Sequence, residues 1–212
     1  MFARITRGFK ATLPVALGVM PFGVAFGAVA GLTMTWWQAQ LMSLTLFAGT
    51  AQFITASMIA EGAAFLPILI TGTLINMRLI LLSAALTPYL TKARRSLYPL
   101  MAQVLTDESF AVTLAEFERG KPDYLFFVGS GLAVYSLWQV ATLIGHTFGS
   151  ALPAGLGLEY ALAASLMYLL IILARTRRAV AVALFAGLLT LALYPLLSNT
   201  WSTVTATFIA AT

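Results

Sequence analysis

Apolar runs long enough to cross a bilayer follow one another along nearly the whole chain, with joints of only a few residues between them. A helix needs roughly 20 residues to traverse the hydrocarbon core. Reading nearly uncharged stretches against that length gives seven segments: about Leu13 to Leu32, Gln38 to Ala60, Ala63 to Leu90, Ser96 to Ala115, Tyr124 to Phe148, Tyr160 to Ala174 and Ala179 to Leu197. The sixth is short for a full span. No water exists in the core to take up free N–H and C=O groups, so these segments must be helical wherever they face lipid, and the alternation of a membrane barrel is absent. The expected fold is an all-α, polytopic integral membrane helix bundle, with residues 1–212 forming one transmembrane transport domain. Only 9% of the residues are charged, where a soluble domain carries roughly a quarter, so a water-dissolved globule is excluded. With no cysteine and one histidine, disulfides, zinc or iron–sulfur centres and thiol nucleophiles lack residues to build from, and no cofactor is expected.

The basic residues lie in short clusters between apolar runs, which reads as a topology signal rather than a nucleic-acid surface. Seven full spans with Arg4, Arg7 and Lys10 on the cytoplasmic side also put Arg119, Lys121, Arg175, Arg177 and Arg178 there, leaving Lys92, Arg94 and Arg95 opposite. If segments two and four are instead broken and re-entrant, all of these loop charges fall on one side with five true spans. Full crossing is the working expectation, with the dense dissenting cluster as its difficulty. Trp36, Trp37, Tyr98 and Tyr124 sit at segment ends, where amphipathic rings favour the headgroup layer, and the uncharged tail from Ser198 to Thr212 suits an interfacial helix. Ala28-Val29-Ala30 resembles a signal-cleavage site, but the run before it is long for a signal core, so a retained first span is expected. Gly23, Gly27 and Gly31 share one face of that span, which suits close packing on a neighbouring helix or, in a sharper reading, a subunit contact.

Four polar groups interrupt the apolar segments. Arg78, near the middle of segment three in Ile75-Asn76-Met77-Arg78-Leu79, costs roughly 2.5 to 3.5 kcal/mol at the bilayer centre on insertion scales and should face the bundle interior. Asp107 and Glu108 are adjacent, so on a helix they point about 100° apart and at most one can face Arg78 squarely. One carboxylate could hold the arginine while the other handles a proton; the bland alternative is an ion pair that fixes helix register. In Phe47-Ala48-Gly49-Thr50-Ala51-Gln52-Phe53, Gly49 could permit a helix break and Gln52 supplies an amide at depth, or both could serve packing and one interhelical hydrogen bond. Asn76 is the fourth. His146, between Gly145 and Gly149 at the end of segment five, reads as interfacial. FAGT at 47–50 and FVGS at 127–130 hint only faintly at repetition.

The run FAGTAQF at 47–53, INMRL at 75–79 and TDESFA at 106–111, in this order, with LPVALGVMPFGVAFG at 13–27, resembles the large subunit of AzlC-type branched-chain amino acid exporters. The likeness covers about the first two thirds of the chain. It implies a secondary transporter of the bacterial cytoplasmic membrane, working with a small AzlD-type membrane subunit and expelling leucine, isoleucine, valine or analogues. Gln52, Asn76, Arg78, Asp107 and Glu108 fall on the motifs that carry the resemblance. The motifs of serine hydrolases, zinc proteases and phosphate-binding loops are missing, so catalysis is not expected. The candidate substrate-binding or ion-coupling residues are therefore Gly49, Gln52, Asn76, Arg78, Asp107 and Glu108, in a proton-linked exporter. The rival readings are a passive pore for small solutes and a non-transporting membrane scaffold.

Overall fold

A computed structural model describes residues 1–91, 93–120, 122–149 and 177–193, and every element among them is helical. Segment six, the 198–212 tail, Lys92, Lys121 and Arg175 lie outside the described residues. Contacts divide the chain into two units, Met1–Leu162 and Ala163–Thr212. The first unit contains α1 (Phe2–Ala30), α2 (Trp36–Thr45), α3 (Gly49–Ala60), α4 (Phe65–Asn76), α5 (Arg78–Leu86), α6 (Tyr98–Gln103), α7 (Asp107–Glu118) and α8 (Tyr124–Phe148). The second contributes one described helix, α9 (Arg177–Leu193), apolar along most of its length.

Among the described residues, three apolar stretches are long enough to cross a membrane: α1, the run from α4 through Tyr89, and α8. α1 and α8 lie side by side and parallel. Arg4 reaches Asp123, the Thr12 and Ser130 hydroxyls meet at 2.6 Å, and a Cβ on Gly23 would come within 2.7 Å of the Ala141 Cβ. Glycine makes this approach possible from both sides, because Cβ atoms at Gly8, Gly27, Gly129 or Gly145 would collide with backbone of the opposite helix. The Gly23–Gly27 face therefore serves packing within the chain.

The two helix pairs between the long elements each return to the end they came from. At one end His146 Nε2 donates to the Met34 carbonyl at 3.0 Å, just before α2. Halfway along α8, Phe47 packs edge-on against Tyr135 with ring centroids 4.7 Å apart, and Gly49 lies under Trp138. α3 then heads back, with Phe53 against Phe26 near the far end of α1 at 5.7 Å between ring centroids. The second pair enters from the other end. Gln103 at the end of α6 donates to the Leu44 carbonyl at 2.8 Å, while on α7 Glu116 pairs with Arg7 at 3.4 Å. Tyr89 stacks obliquely on Phe117 at 5.5 Å, which puts the end of α5 at that same end of the bundle.

The working expectation of full crossings by segments two and four is thus corrected, and the charge conflict goes with it. Both segments are interrupted near their middles, at 46–48 and 104–106, and fold back as hairpins. Leu90, Ala93 and Leu97 pack on the cluster holding Leu86, Met101, Leu105 and Phe117. Arg94 and Arg95 therefore share an end with Arg4, Arg7 and Arg119, while the loops at the opposite end, 31–35 and 61–64, contain no Lys or Arg. Such one-sidedness is what the positive-inside rule demands.

At the basic end, Asp123 caps α8 by accepting from the Leu125 N–H at 2.9 Å and takes two hydrogen bonds from the Arg4 guanidinium. Burial pushes its carboxyl up, but the Arg4 hydrogen bond and the Leu125 amide outweigh that and hold it below the ordinary value. A depressed folded-state value stabilises the fold above the ordinary Asp range, near about 3.9, and the contribution disappears as pH falls through the folded value. Asp123→Asn should therefore melt earlier than the parent at pH 7 in detergent, with the gap closing as the pH falls below the ordinary Asp range. A pH-independent gap would contradict the assignment.

Candidate functional site

Segment three is one apolar run, yet its helix breaks at Met77, whose N–H bonds to Leu74 three residues back instead of the regular i−4 carbonyl. Asn76 closes α4 and Arg78 opens α5. Across from this break is the second hairpin's tip, where Thr106 is extended (φ −135°, ψ 170°) and accepts from the Ser109 N–H while Ser109 Oγ receives the Thr106 N–H at 2.9 Å. That reciprocal cap starts α7 at Asp107, so Asp107 and Glu108 occupy the first turn, where the positive end of the helix dipole favours anionic side chains. Arg78 Nη2 lies 2.9 Å from Asp107 Oδ2, with the side chains 31% and 15% exposed. The sequence geometry allowed one carboxylate to face Arg78, and it is Asp107. Glu108 is half-buried and forms no ion pair among the described residues.

Two polar atoms at this junction are buried without partners among the described residues: the donor Arg78 Nε and the acceptor Asn76 Oδ1. A buried polar atom left unpaired costs about 1–3 kcal/mol. An orphan donor on a cation and an orphan acceptor two residues away are chemically suited to the two ends of a zwitterion. An open-sided cavity of about 460 Å³, lined by Leu46, Ile68, Leu69, Met77 and Ile80 among others, includes Asn76 in its wall, and Leu69, Met77 and Ile80 are each more than half exposed.

Gly49 and Gln52 form a separate cluster at the first hairpin's tip. Phe47 there has φ +36°, a left-handed conformation costly for a bulky residue. A Cβ at Gly49 would lie 3.0 Å from the Trp138 ring, so a larger residue there would have to push the ring aside. Gln52 Nε2 donates to Ser43 Oγ at 2.7 Å, and Ser43 Oγ meets Thr142 Oγ1 at 2.9 Å, all three side chains fully buried. The carbonyls that the break frees at the end of α2 are taken by side chains: Ser43 by Gln139 Nε2, Leu44 by the Tyr135 hydroxyl and Gln103 Nε2. Among the described residues no hydrogen bond or ion pair joins this cluster to Arg78, whose ion pair is with Asp107. Gln52 Nε2 thus joins α3 to α2 and, through Ser43, to α8, while Gln52 Oε1 is buried with no partner among the described residues.

Sequence reading missed Ser43, Gln103, Tyr135, Gln139 and Thr142. Single polar residues in apolar runs carry no local pattern; only the rule that depth-buried backbone must be satisfied could have pointed to them. Ser43→Ala would leave Gln52 Nε2 and Thr142 Oγ1 without their shared partner. A loss of about 1–3 kcal/mol is expected, read as an earlier thermal transition in detergent. Ser43→Thr, which keeps the hydroxyl, should recover part of it.

The chain's residues 14–152 match the family model described as AzlC protein. It is 28% identical to the inner membrane protein YgaZ of Escherichia coli K12 over 157 residues, 72% of this chain and 64% of that protein. A membrane protein of Archaeoglobus fulgidus is 29% identical over 175 residues, covering 81% of this chain and 74% of its own length. A membrane protein of Haemophilus influenzae is 29% identical over 170 residues, or 76% and 68% of the two chains. The chain thus spans less than two thirds of the length of YgaZ. No solved structure matches it.

Proposed function

Because the chain belongs to the AzlC family, we propose that it is the solute-carrying subunit of a secondary exporter of branched-chain, zwitterionic amino acids, coupled to protons. The family and its membrane-protein relatives support a membrane protein with a role in transport; the branched-chain substrate and the partner subunit follow from the resemblance, and the zwitterion and proton reading rests on the site. The observation that carries it is the pairing of orphans at the junction of two broken helices, Arg78 Nε and Asn76 Oδ1, beside an apolar cavity. Arg78 would meet the substrate carboxylate, and Asn76 Oδ1, with Asp107 when it is released from Arg78, the ammonium. Aliphatic walls discriminate weakly, since one methylene is worth only about 1–3 kcal/mol, so leucine, isoleucine and valine would overlap as substrates.

Glu108 is the proton carrier in this reading, as the carboxylate at the tip that no cation neutralises among the described residues. The basic end of the bundle would face the cytoplasm of a bacterial cell, in the inner membrane, with a small AzlD-type subunit as partner. Counterflow of labelled leucine into proteoliposomes tests the whole reading. Stimulation by an imposed pH gradient is expected in the parent and lost in Glu108→Gln, with counterflow at equal pH retained. Gradient stimulation that survives in Glu108→Gln would remove Glu108 from the coupling, and flux without counterflow acceleration would point to a passive pore.

A further inference from the structure

The first unit contains a second cavity, of about 500 Å³, lined by Leu86, Tyr98, Met101, Leu105 and Phe127 with the Ser83 and Thr87 side chains. The two cavities lie in succession along one long element: α4 and the first turn of α5, through Ile80, line the first, and residues from Ser83 to Thr91 line the second. Each also takes in the tip of a different hairpin, Leu46 in the first and Leu105 in the second. Because the hairpins enter from opposite ends, the first cavity belongs to the half holding the uncharged loops and the second to the half holding the basic residues. Arg78, flanked in the chain by Met77 and Ile80 of the first cavity's wall, reaches to Asp107, two residues beyond Leu105 of the second cavity's wall, and Met77 marks the break in the helix. Both volumes fall in the roughly 300–1,000 Å³ range of small-molecule sites.

We propose that the two cavities are the two halves of one solute path, each receiving the side chain of an aliphatic amino acid in turn, with the Arg78–Asp107 pair as the partition between them. The substrate class rests on the reading under Proposed function; the path itself rests on the geometry. A solute whose carboxylate competes for Arg78 loosens the ion pair as it binds, so the partition opens in response to the group it admits. The broken helix at Met77 supplies the joint, since it interrupts the regular hydrogen-bond ladder there.

The chain has no cysteine, so single-cysteine variants give a direct test. Thr73→Cys probes the first cavity and Thr87→Cys the second, each at a position whose hydroxyl bonds only to its own helix. Ile68→Cys and Leu90→Cys, half-buried in the walls of the first and second cavities, are the replacements if either fails to yield monodisperse protein. Vesicles of defined orientation are treated with a cationic, membrane-impermeant methanethiosulfonate. The two positions should react from opposite faces, each with a preference of about tenfold or more, the scale of a modest population bias. In an Asp107→Asn background that preference should shrink to about threefold or less. Reaction of both from the same face, or rates no higher than at Leu81→Cys on the exposed apolar surface, overturns the path. Full sidedness in the Asp107→Asn background overturns the partition. Labelling requires no amino acid, so opposite-sided labelling without leucine counterflow would refute the substrate reading and leave the path standing.

Discussion

Arg78→Gln should reduce labelled-leucine counterflow by roughly 10- to 150-fold, the equivalent of losing one charge-assisted contact worth about 1.5–3 kcal/mol. The guanidinium serves two partners in this proposal, Asp107 at rest and the substrate carboxylate during transport, and glutamine offers neither the charge nor the fork of donors. Stability should change less than transport. Removing one member of a fully buried ion pair costs about 3–5 kcal/mol, but Arg78 is 31% exposed and Asp107 15%, so solvent screens the charge left behind. The double variant Arg78→Gln/Asp107→Asn separates the proposal from a scaffold role. Thermal stability should return toward the parent in the double variant, because no unpaired charge remains, while counterflow stays low. Recovery of both would make the pair a helix fastener and nothing more.

Gly27→Val should remove most folded, monodisperse protein. A Cβ at Gly27 collides with the Thr142 carbonyl oxygen and lies 2.7 Å from the His146 N and 3.0 Å from the Gly145 Cα, all backbone that no side-chain rotation can clear. Overpacking of a core costs about 1–3 kcal/mol where side chains can yield, and here α1 and α8 would have to separate. Gly31, four residues on and equivalent in the sequence pattern, has its nearest neighbour at 3.4 Å. Gly31→Ala should therefore express and melt close to the parent. Size-exclusion profiles and thermal transitions of the two variants decide the point, and equal tolerance at both positions would refute the close α1–α8 seam.

The contrast between these two glycines shows where sequence reading reaches its limit. A four-residue repeat of small residues indicates a packing face, but how closely each position is approached depends on the neighbour's backbone. The interruptions of segments two and four were legible, since Gly49 and the Asp107–Glu108 pair sit where lipid-facing helices have no use for them, and the stray basic cluster pointed to the same segments. The choice between crossing and returning was not legible, because hydropathy records depth and not direction. The break at Met77 gave no warning either: no glycine or proline marks it, and its polar neighbours Asn76 and Arg78 are residues that a continuous helix also accommodates. α1 begins at Phe2 rather than near Leu13, because Arg4 finds Asp123 at the start of α8 and Arg7 finds Glu116 near the end of α7. Those partners lie over a hundred residues away, in what the sequence presents as an ordinary joint.

The parallel seam between α1 and α8 also sets the order of biogenesis. Its first ion pair joins positions 119 residues apart, and a hydroxyl contact farther along joins positions 118 apart. During synthesis α1 emerges long before the surface it fits, and both hairpins must be threaded before α8 arrives to cover its glycines. Closing so long a loop is slow compared with helix formation. The nascent chain therefore passes through a stage in which α1 displays a bare groove of backbone to whatever insertion machinery or neighbouring helix is at hand, and stalled synthesis before Tyr124 would leave it there.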